Sequence, residues 1–419
     1  MRTSRAGRST DGRATCTSGD NPAVTTFRVD FLGCKVSHVD AHEVREALLR
    51  DGHEEGADAD VAVISTCCVT NEAVAKSRKA ATRAARTHAR VYLTGCAANL
   101  GGTAFAGLPE NVVVVARPPE ETAAFVARDV GAIGCVQADA RVDRVRAFVK
   151  IQDGCSFSCN FCVIPLVRGA SRSRSVGAVL AEVRRRVAQG HQEVVLTGIN
   201  LGCFRDRAAG FDLARLVREV GATPGLQRLR LSSIEINHVN DALVAALRET
   251  PTVARHLHVP LQSGDDGVLR AMGRRYTVDT YLRRLAPLAG EFNLTSDVIV
   301  GFPAEDEGAF ATTLQTIERA GITKVHVFPY SPRPGTLTAG DDRVPPQEKK
   351  TRGARLRALS HELCLARWRE KTEDVVLVDR PGRGYGDDYT PWLVDAPVGE
   401  LVRVRAARVT EEGIVARAA

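Results

Sequence analysis

From Phe27 onward, short apolar runs alternate with stretches in which apolar residues recur three and four positions apart. The runs Phe27 to Leu32, Val61 to Ser65, Val91 to Thr94 and Val112 to Val115 predict strands. Helices are predicted between and after them, from about His38 to Arg50, Asn71 to His88 and Pro118 to Arg128. Repetition of this kind implies a parallel sheet flanked by helices. A second series starts at Phe148, with strands predicted over Phe148 to Gln152, Glu193 to Thr197, Arg228 to Ser232, His256 to Leu261, Leu294 to Val300 and Lys324 to Phe328. Helical stretches such as Val176 to Gln189 and Glu305 to Ala320 separate them, the first with Val176, Leu180, Val183 and Val187 on one face. Six strands with intervening helices predict a (βα)6 partial TIM barrel, whose active edge is the carboxyl end of its strands.

Past Ser331-Pro332-Arg333-Pro334-Gly335 and Pro345-Pro346 the pattern changes. Lys349 to Lys371 reads as a basic helix that packs through Leu356, Leu359 and Leu363, its charges forming a solvated face. Val375 to Asp379, Tyr389 to Asp395, Leu401 to Arg408 and Ile414 to Arg417 are short alternating segments split by Gly and Pro, the pattern of a small antiparallel β-barrel. Residues 1–25 are rich in Arg, Ser, Thr and Gly, cannot bury a core and read as a disordered tail. The fold class expected is α/β: a parallel-sheet α/β domain over 26–140, the partial barrel and basic helix over 145–371, and the small barrel over 372–419.

A chain of 419 residues has room for two or three such domains. No apolar run approaches the length of a membrane span, so a soluble protein with no membrane partner is expected. The 57 basic and 50 acidic residues leave a net charge of +7, compatible with a nucleic-acid partner without requiring one. With no secretory apolar segment at the N-terminus, the eleven cysteines suit a reducing cytoplasm, where thiols serve metals or catalysis.

The cysteines carry the chemistry. Cys155, Cys159 and Cys162 have the spacing C-x3-C-x2-C with no fourth Cys or His nearby. A four-iron, four-sulfur cluster on three thiolates keeps one iron open for a ligand. Structural cysteines, or a zinc ion awaiting a distant fourth ligand, are the other readings of the same spacing. Cys34, Cys67 and Cys96 each stand just past the end of a predicted strand, the edge where open parallel sheets bind ligands, so a second three-cysteine centre is expected there. Any one of them alone would read as a small buried apolar residue. Cys68 would point the opposite way along an extended chain and is read as packing.

At the barrel's carboxyl edge stand Thr197-Gly198-Ile199-Asn200, Ser232-Ser233-Ile234-Glu235, Gln262-Ser263-Gly264 and Gly301-Phe302-Pro303. These can bond the amino, carboxyl and ribose groups of a ligand, or they are ordinary turns. Arg274 can pair with a carboxylate in bidentate fashion or be a solvated surface group.

The order C-x3-C-x-aromatic-C, with Phe161 before Cys162, resembles the signature of the radical S-adenosylmethionine enzymes. In them the open iron chelates S-adenosylmethionine, and one electron releases a 5'-deoxyadenosyl radical. Two separated triads followed by a small β-barrel resemble, more narrowly, the radical S-adenosylmethionine methylthiotransferases. The stretches that carry this likeness are Leu32 to Val36, Thr66-Cys67, Thr94 to Cys96, Gly154 to Cys162, Arg168-Gly169, His256 to Gly264, Asp297 to Pro303 and Tyr330-Ser331. Ser37, Ser65 and Ile236-Asn237 depart from the family's usual residues.

The resemblance implies two [4Fe-4S] clusters, with Cys34, Cys67 and Cys96 as ligands of an auxiliary one and Cys155, Cys159 and Cys162 of the radical one. It implies S-adenosylmethionine as cofactor, with Phe161, Thr197, Gly198, Asn200, Ser232, Glu235, Gln262, Ser263 and Arg274 as candidate contacts. It also implies a terminal β-domain of the TRAM kind that binds tRNA at the anticodon arm, an electron donor such as flavodoxin or ferredoxin, and a cytoplasmic monomer. Ile151 to Cys155, Leu196 to Asn200 and His256 to Gly264 resemble the branch that adds a methylthio group to C2 of N6-threonylcarbamoyladenosine. The isopentenyladenosine branch, a peptide or small-molecule acceptor, and a non-catalytic iron-sulfur protein that binds RNA or senses redox state are the alternatives.

Overall fold

A computed structural model of the chain describes residues 24–132 and 145–418. The expected tail, Cys16 and Cys135 lie outside the described residues, save Val24 and Thr25 at the tail's end.

The N-terminal sheet is five-stranded and parallel. Thr26–Phe31, Val61–Thr66, Arg90–Gly95 and Val112–Val114 lie side by side in chain order, with Glu54–Glu55 added beyond the first strand. Val61–Thr66 is buried along its whole length, as a central strand covered on both faces must be. The first helix, Lys35–Arg50, starts three residues before the expected His38, directly at Cys34. The second, Asn71–Ala84, starts where Thr70 Oγ1 accepts from Ala73 N at 3.1 Å and stops four residues short of the expected His88.

The barrel contains all six expected strands, as two parallel three-stranded sheets. Arg146–Lys150, Glu193–Thr197 and Arg228–Leu231 form one; His256–His258, Asn293–Val300 and Ile322–Pro329 form the other. A bridge between Leu229 and Val253 joins them into an open arc. Two of the boundaries that differ from expectation have a local cause. Gln152–Asp153 leaves the first strand to pair antiparallel with Arg172–Ser173. The strand at His256 ends at His258, because Pro260 offers no N–H to the ladder and Leu261 N donates instead to Ser296 Oγ at 2.8 Å. Val, Leu and Ile side chains of strands and helices form one continuous core, among them Val194, Leu196, Leu229, Leu257, Leu294 and Phe310.

The helix Pro346–Glu370 buries Leu356 and packs Leu359 and Leu363 against that core, as expected. Its charges are not all solvated. Lys349 Nζ donates to Tyr330 O at 3.0 Å, and Arg352 pairs with the buried Glu305 at 2.8 Å. Cations next to the strand ends have found buried acceptors, so this face of the helix is part of the barrel.

Glu373–Arg380, Arg383–Tyr385, Pro391–Leu393, Leu401–Thr410 and Gly413–Ala418 close into a five-stranded barrel around Trp392, Val376, Val404 and Ile414. Arg383–Tyr385 is too short to stand out as a strand in the sequence. One correction concerns direction: the pairing of Pro391–Leu393 with Gly413–Ala418 is parallel, and the others are antiparallel. This domain docks on the amino edge of the large barrel. There Arg230, fully buried, pairs with Glu193, donates to Asp387 O and Gly386 O at 2.6 Å, and lies 3.9 Å over the Tyr389 ring. Among the described residues no helix is long and apolar enough to cross a membrane.

Candidate two-cluster active site

The loop with Cys155, Cys159 and Cys162 crosses the carboxyl edge of the barrel and is pinned from three sides. Gly154 has φ +68°, and a Cβ there would stand 2.1 Å from Ala170 O, so the chain passes Gly169-Ala170 in contact that excludes a side chain. Cys155 N donates to Gly169 O at 3.0 Å, and Asn160 bonds Met272 O and Ala271 O at 2.9 and 2.8 Å. Below the loop the buried Gln152 donates to Asp153 O, Gly154 O and Ser171 Oγ and accepts from Asn200 N. Burial pushes the Cys162 thiol up to about 12, and Cys159 and Cys155 push in the same direction. Thiols so placed ionise readily only with a cation among them, which is what an iron cluster provides.

A pocket opens beside the three thiols. It is lined by five of the expected contacts, Phe161, Asn200, Glu235, Gln262 and Arg274, with Cys155, Cys159 and Cys162 along one wall. Thr197 Oγ1, Ser232 Oγ and Asn200 Oδ1 are buried beneath it without a hydrogen-bond partner among the described residues. Orphaned buried acceptors at the end of neighbouring strands fit a polar ligand.

Arg274 is not a solvated group: it donates to Cys159 Sγ, Glu235 Oε1 and Tyr276 Oη at 3.2 to 3.3 Å. Burial raises the Glu235 carboxyl, Arg274 lowers it less, and Asn237 N and Nδ2 hold its oxygens. Thus the departure at Asn237 has a use.

Two expected contacts point elsewhere. A Cβ on Gly198 would meet Gln152 O at 2.9 Å, so this glycine makes room for Gln152. Ser263 is fully buried with Oγ 3.4 Å from Thr313 Oγ1 on the helix behind, because Gln262 at φ +67° turns the chain between them. Gly264 and Gly301 likewise clear space for Thr313 and Lys349.

Cys34, Cys67 and Cys96 come together at the edge of the N-terminal sheet. A Cβ on Gly33 would lie 3.5 Å from the Cys67 Cβ, and the Cys67 thiol is pushed up to about 11, by burial first and then by Cys34 and Cys96. Cys96 behaves differently, since a bond from the buried Cys68 and the nearby Arg168 guanidinium hold its thiol down to about 7. Cys68 is packing, as expected, with the added role of Cys96's neighbour. Ser65 Oγ donates to Ser37 O at 3.3 Å, and Ser37 Oγ lies 3.7 Å from Cys34 Sγ, so these two departures touch each other under the triad. Neither triad has its three sulfurs close enough to share one ion; among the described residues only His258, Asp297 and His326 do. Thiols separated in this way suit the corners of a cluster.

Four buried charges, assigned no role in the sequence, tie the triads together. Arg168 Nε donates to Cys96 Sγ at 2.9 Å, its Nη1 to Asp153 and its Nη2 to Asp40, which also binds Lys150 at 2.6 Å. Asp153 precedes Cys155 by two residues, so one guanidinium spans from one cysteine loop to the other. Burial works against the Asp153 carboxylate, and Arg168 and Lys150 more than offset it, leaving it below its usual range. A further pocket is walled by Val69 and Thr70 from the Cys67 loop, Phe161 from the Cys162 loop, and Gln262, Asp297 and Tyr330 from the barrel. Arg333, which donates to Cys68 O at 2.9 Å, completes it.

Comparisons agree with this architecture. The Radical SAM superfamily pattern matches residues 149–317, and that of the Uncharacterized protein family UPF0004 matches 26–116. The chain is 32% identical to the threonylcarbamoyladenosine tRNA methylthiotransferase MtaB of Thermotoga maritima, over 93% of this chain and 96% of that protein. It is also 32% identical to the tRNA-2-methylthio-N(6)-dimethylallyladenosine synthase of Paracoccus denitrificans, over 92% and 95%. The radical S-adenosylmethionine methyltransferase TsrM of Kitasatospora setae shares the fold, with TM-score 0.55 and 14% identity over 76% of this chain and 77% of that one. Identity to methylthiotransferases along nearly the whole chain, on a radical S-adenosylmethionine core with its cysteine loop in place, means that the chain belongs to the radical S-adenosylmethionine methylthiotransferase family of enzymes, and it resembles the threonylcarbamoyladenosine branch.

Proposed function

We propose that this enzyme adds a methylthio group to C2 of N6-threonylcarbamoyladenosine next to the anticodon of tRNA. One [4Fe-4S] cluster would be held by Cys155, Cys159 and Cys162 and a second by Cys34, Cys67 and Cys96. The observation that carries this reading is the pocket with walls from both cysteine loops, braced by Arg168. When bound, the clusters and S-adenosylmethionine would supply the reducing electron, the sulfur carried at the open iron of the auxiliary cluster, the methyl group and the radical. The protein's own residues position and enclose: Phe161 and Tyr330 give the pocket apolar walls, and an adenine must leave its stack to enter it.

The terminal barrel supplies the RNA side of the proposal. Along Leu401–Thr410, Val402 and Val404 turn to the barrel core while Arg403, Arg405 and Arg408 are exposed, a cationic stripe suited to phosphates. The proposal includes an external one-electron donor of the flavodoxin or ferredoxin kind and a monomer in the cytoplasm. Mass spectrometry of tRNA nucleosides from a deletion strain tests it. Loss of 2-methylthio-N6-threonylcarbamoyladenosine, restored by the gene, is expected. Loss of the isopentenyl derivative instead would favour the second reading, which the Paracoccus relative supports at equal identity. Unchanged tRNA would move the acceptor to a peptide or small molecule.

A further inference from the structure

Three adjacent parallel strands of the large barrel bring together side chains used by neither cysteine triad. Asp297 and His326 are direct cross-strand partners, and His258 is paired with Thr295, two residues before Asp297 and therefore on the same face. His258 Nε2 lies 3.2 Å from Asp297 Oδ1, and the His258 and His326 rings are 5.6 Å apart. One ligand atom from each of the three residues falls within 4.8 Å of the other two.

We propose that His258, Asp297 and His326 form a binding site for a divalent first-row metal ion, distinct from both cysteine centres. Two imidazoles and one carboxylate are the donor set that takes zinc or ferrous iron while leaving coordination positions open. Ligand atoms at these separations converge on an ion at about 2.1 Å with small side-chain rotations. The second shell is already built. Thr295 Oγ1 is 2.9 Å from His258 Nδ1 and 3.0 Å from His256 Nε2, so it fixes the His258 ring with Nε2 turned to Asp297.

Asp297 borders the pocket beside Phe161, whereas His258 and His326 line a cleft of about 880 Å³ under Lys35. The open positions therefore face space that a ligand can enter. Lys35, Arg146, Lys324, Arg380 and Arg383 line the same cleft against Asp379, Glu411 and Glu412, and this excess of cations would favour an anionic or neutral oxygen as the further ligand.

The test uses reconstituted holoprotein under anaerobic conditions, with the cysteine sites filled, and zinc chloride as the probe. Its readout is metal binding, so it succeeds or fails independently of which acceptor is methylthiolated. About one equivalent of zinc is expected, with an X-ray absorption edge that reports imidazole and oxygen ligands and no sulfur. Asp297→Ala and the exposed His326→Ala should each weaken binding at least about tenfold, and Thr295→Val by about tenfold, with iron content and far-ultraviolet circular dichroism unchanged. Sulfur in the zinc shell, equal binding by the variants, or no binding at all would overturn the site.

Discussion

Arg168 Nε donates to Cys96 Sγ at 2.9 Å while the two other nitrogens of the same guanidinium hold Asp153 and Asp40. This side chain is buried, and so are its carboxylate partners. Removing one partner of a buried ion pair costs about 3–5 kcal/mol, because the others keep their desolvation cost and lose their compensation. Arg168→Met should lower the free energy of unfolding by that order and reduce the iron retained on purification. Unchanged stability and iron would mean the contact is incidental.

Gly154→Ala separates the two centres. The added methyl would collide with Ala170 O, and φ +68° is costly for alanine. The Cys155 loop should be displaced while Cys34, Cys67 and Cys96 are untouched. About half the reconstituted iron should remain, and formation of 5'-deoxyadenosine should fall to background. Wild-type radical formation would show that the loop adapts.

Cys159→Ala and Cys67→Ala should differ in the same sense. The first should abolish 5'-deoxyadenosine formation. The second should spare part of it and stop methylthio transfer, measured by mass spectrometry of the RNA product. Equal loss in both would remove the case for separate roles.

Acid should loosen the dock between the two barrels. Burial raises the Glu193 carboxyl, but Arg230, Arg228 and Arg146 outweigh it, so its folded value lies below the usual carboxylate range. A group depressed in this way stabilises the fold above its unfolded value of about 4.3 and loses that contribution as pH falls through the folded one. The urea midpoint should hold from pH 7 to pH 5 and drop below about pH 4. Glu193→Gln should lower the midpoint at pH 7 and flatten the acid limb.

Charge on the small barrel should govern RNA affinity and leave the radical step alone. Arg403→Ala with Arg405→Ala should weaken tRNA binding and lower its salt dependence by about one to two units of slope, while 5'-deoxyadenosine formation without RNA stays the same.

Much of this was legible in the residues. Apolar runs located the six barrel strands, and strand polarity alone placed Cys34, Cys67 and Cys96 on one edge, whereas Cys155, Cys159 and Cys162 stood out by their C-x3-C-x2-C spacing. What could not be read were contacts that depend on how domains meet. Arg168 belongs to a stretch that carries the family likeness, but its partners Cys96 and Asp40 reach it only when another domain packs against it. Lys349 and Arg352 sit in a charge run whose ordinary meaning is solvent, and only the fold gives them Tyr330 O and Glu305. Gly198, Gly264 and Gly301 mark close approach of the chain to itself, at Gln152, Thr313 and Lys349, which no local pattern announces. Ser263 turns to Thr313 through a positive φ at Gln262 that the residues themselves do not announce.

The helix Pro346–Glu370 touches both ends of the problem. Near its start Lys349 holds the Tyr330 carbonyl at the pocket wall, and near its end Trp368 packs into the small barrel while Arg367 pairs with Asp388. Its 25 residues make a rod about 37 Å long. Length and angle in such a rod are not independent. One inserted residue advances the far end by about 1.5 Å but swings it through about 100°. The helix is therefore a gauge graduated in turns, and the reach from small barrel to pocket can lengthen or shorten only in steps that bring the arginine stripe back to nearly the same bearing.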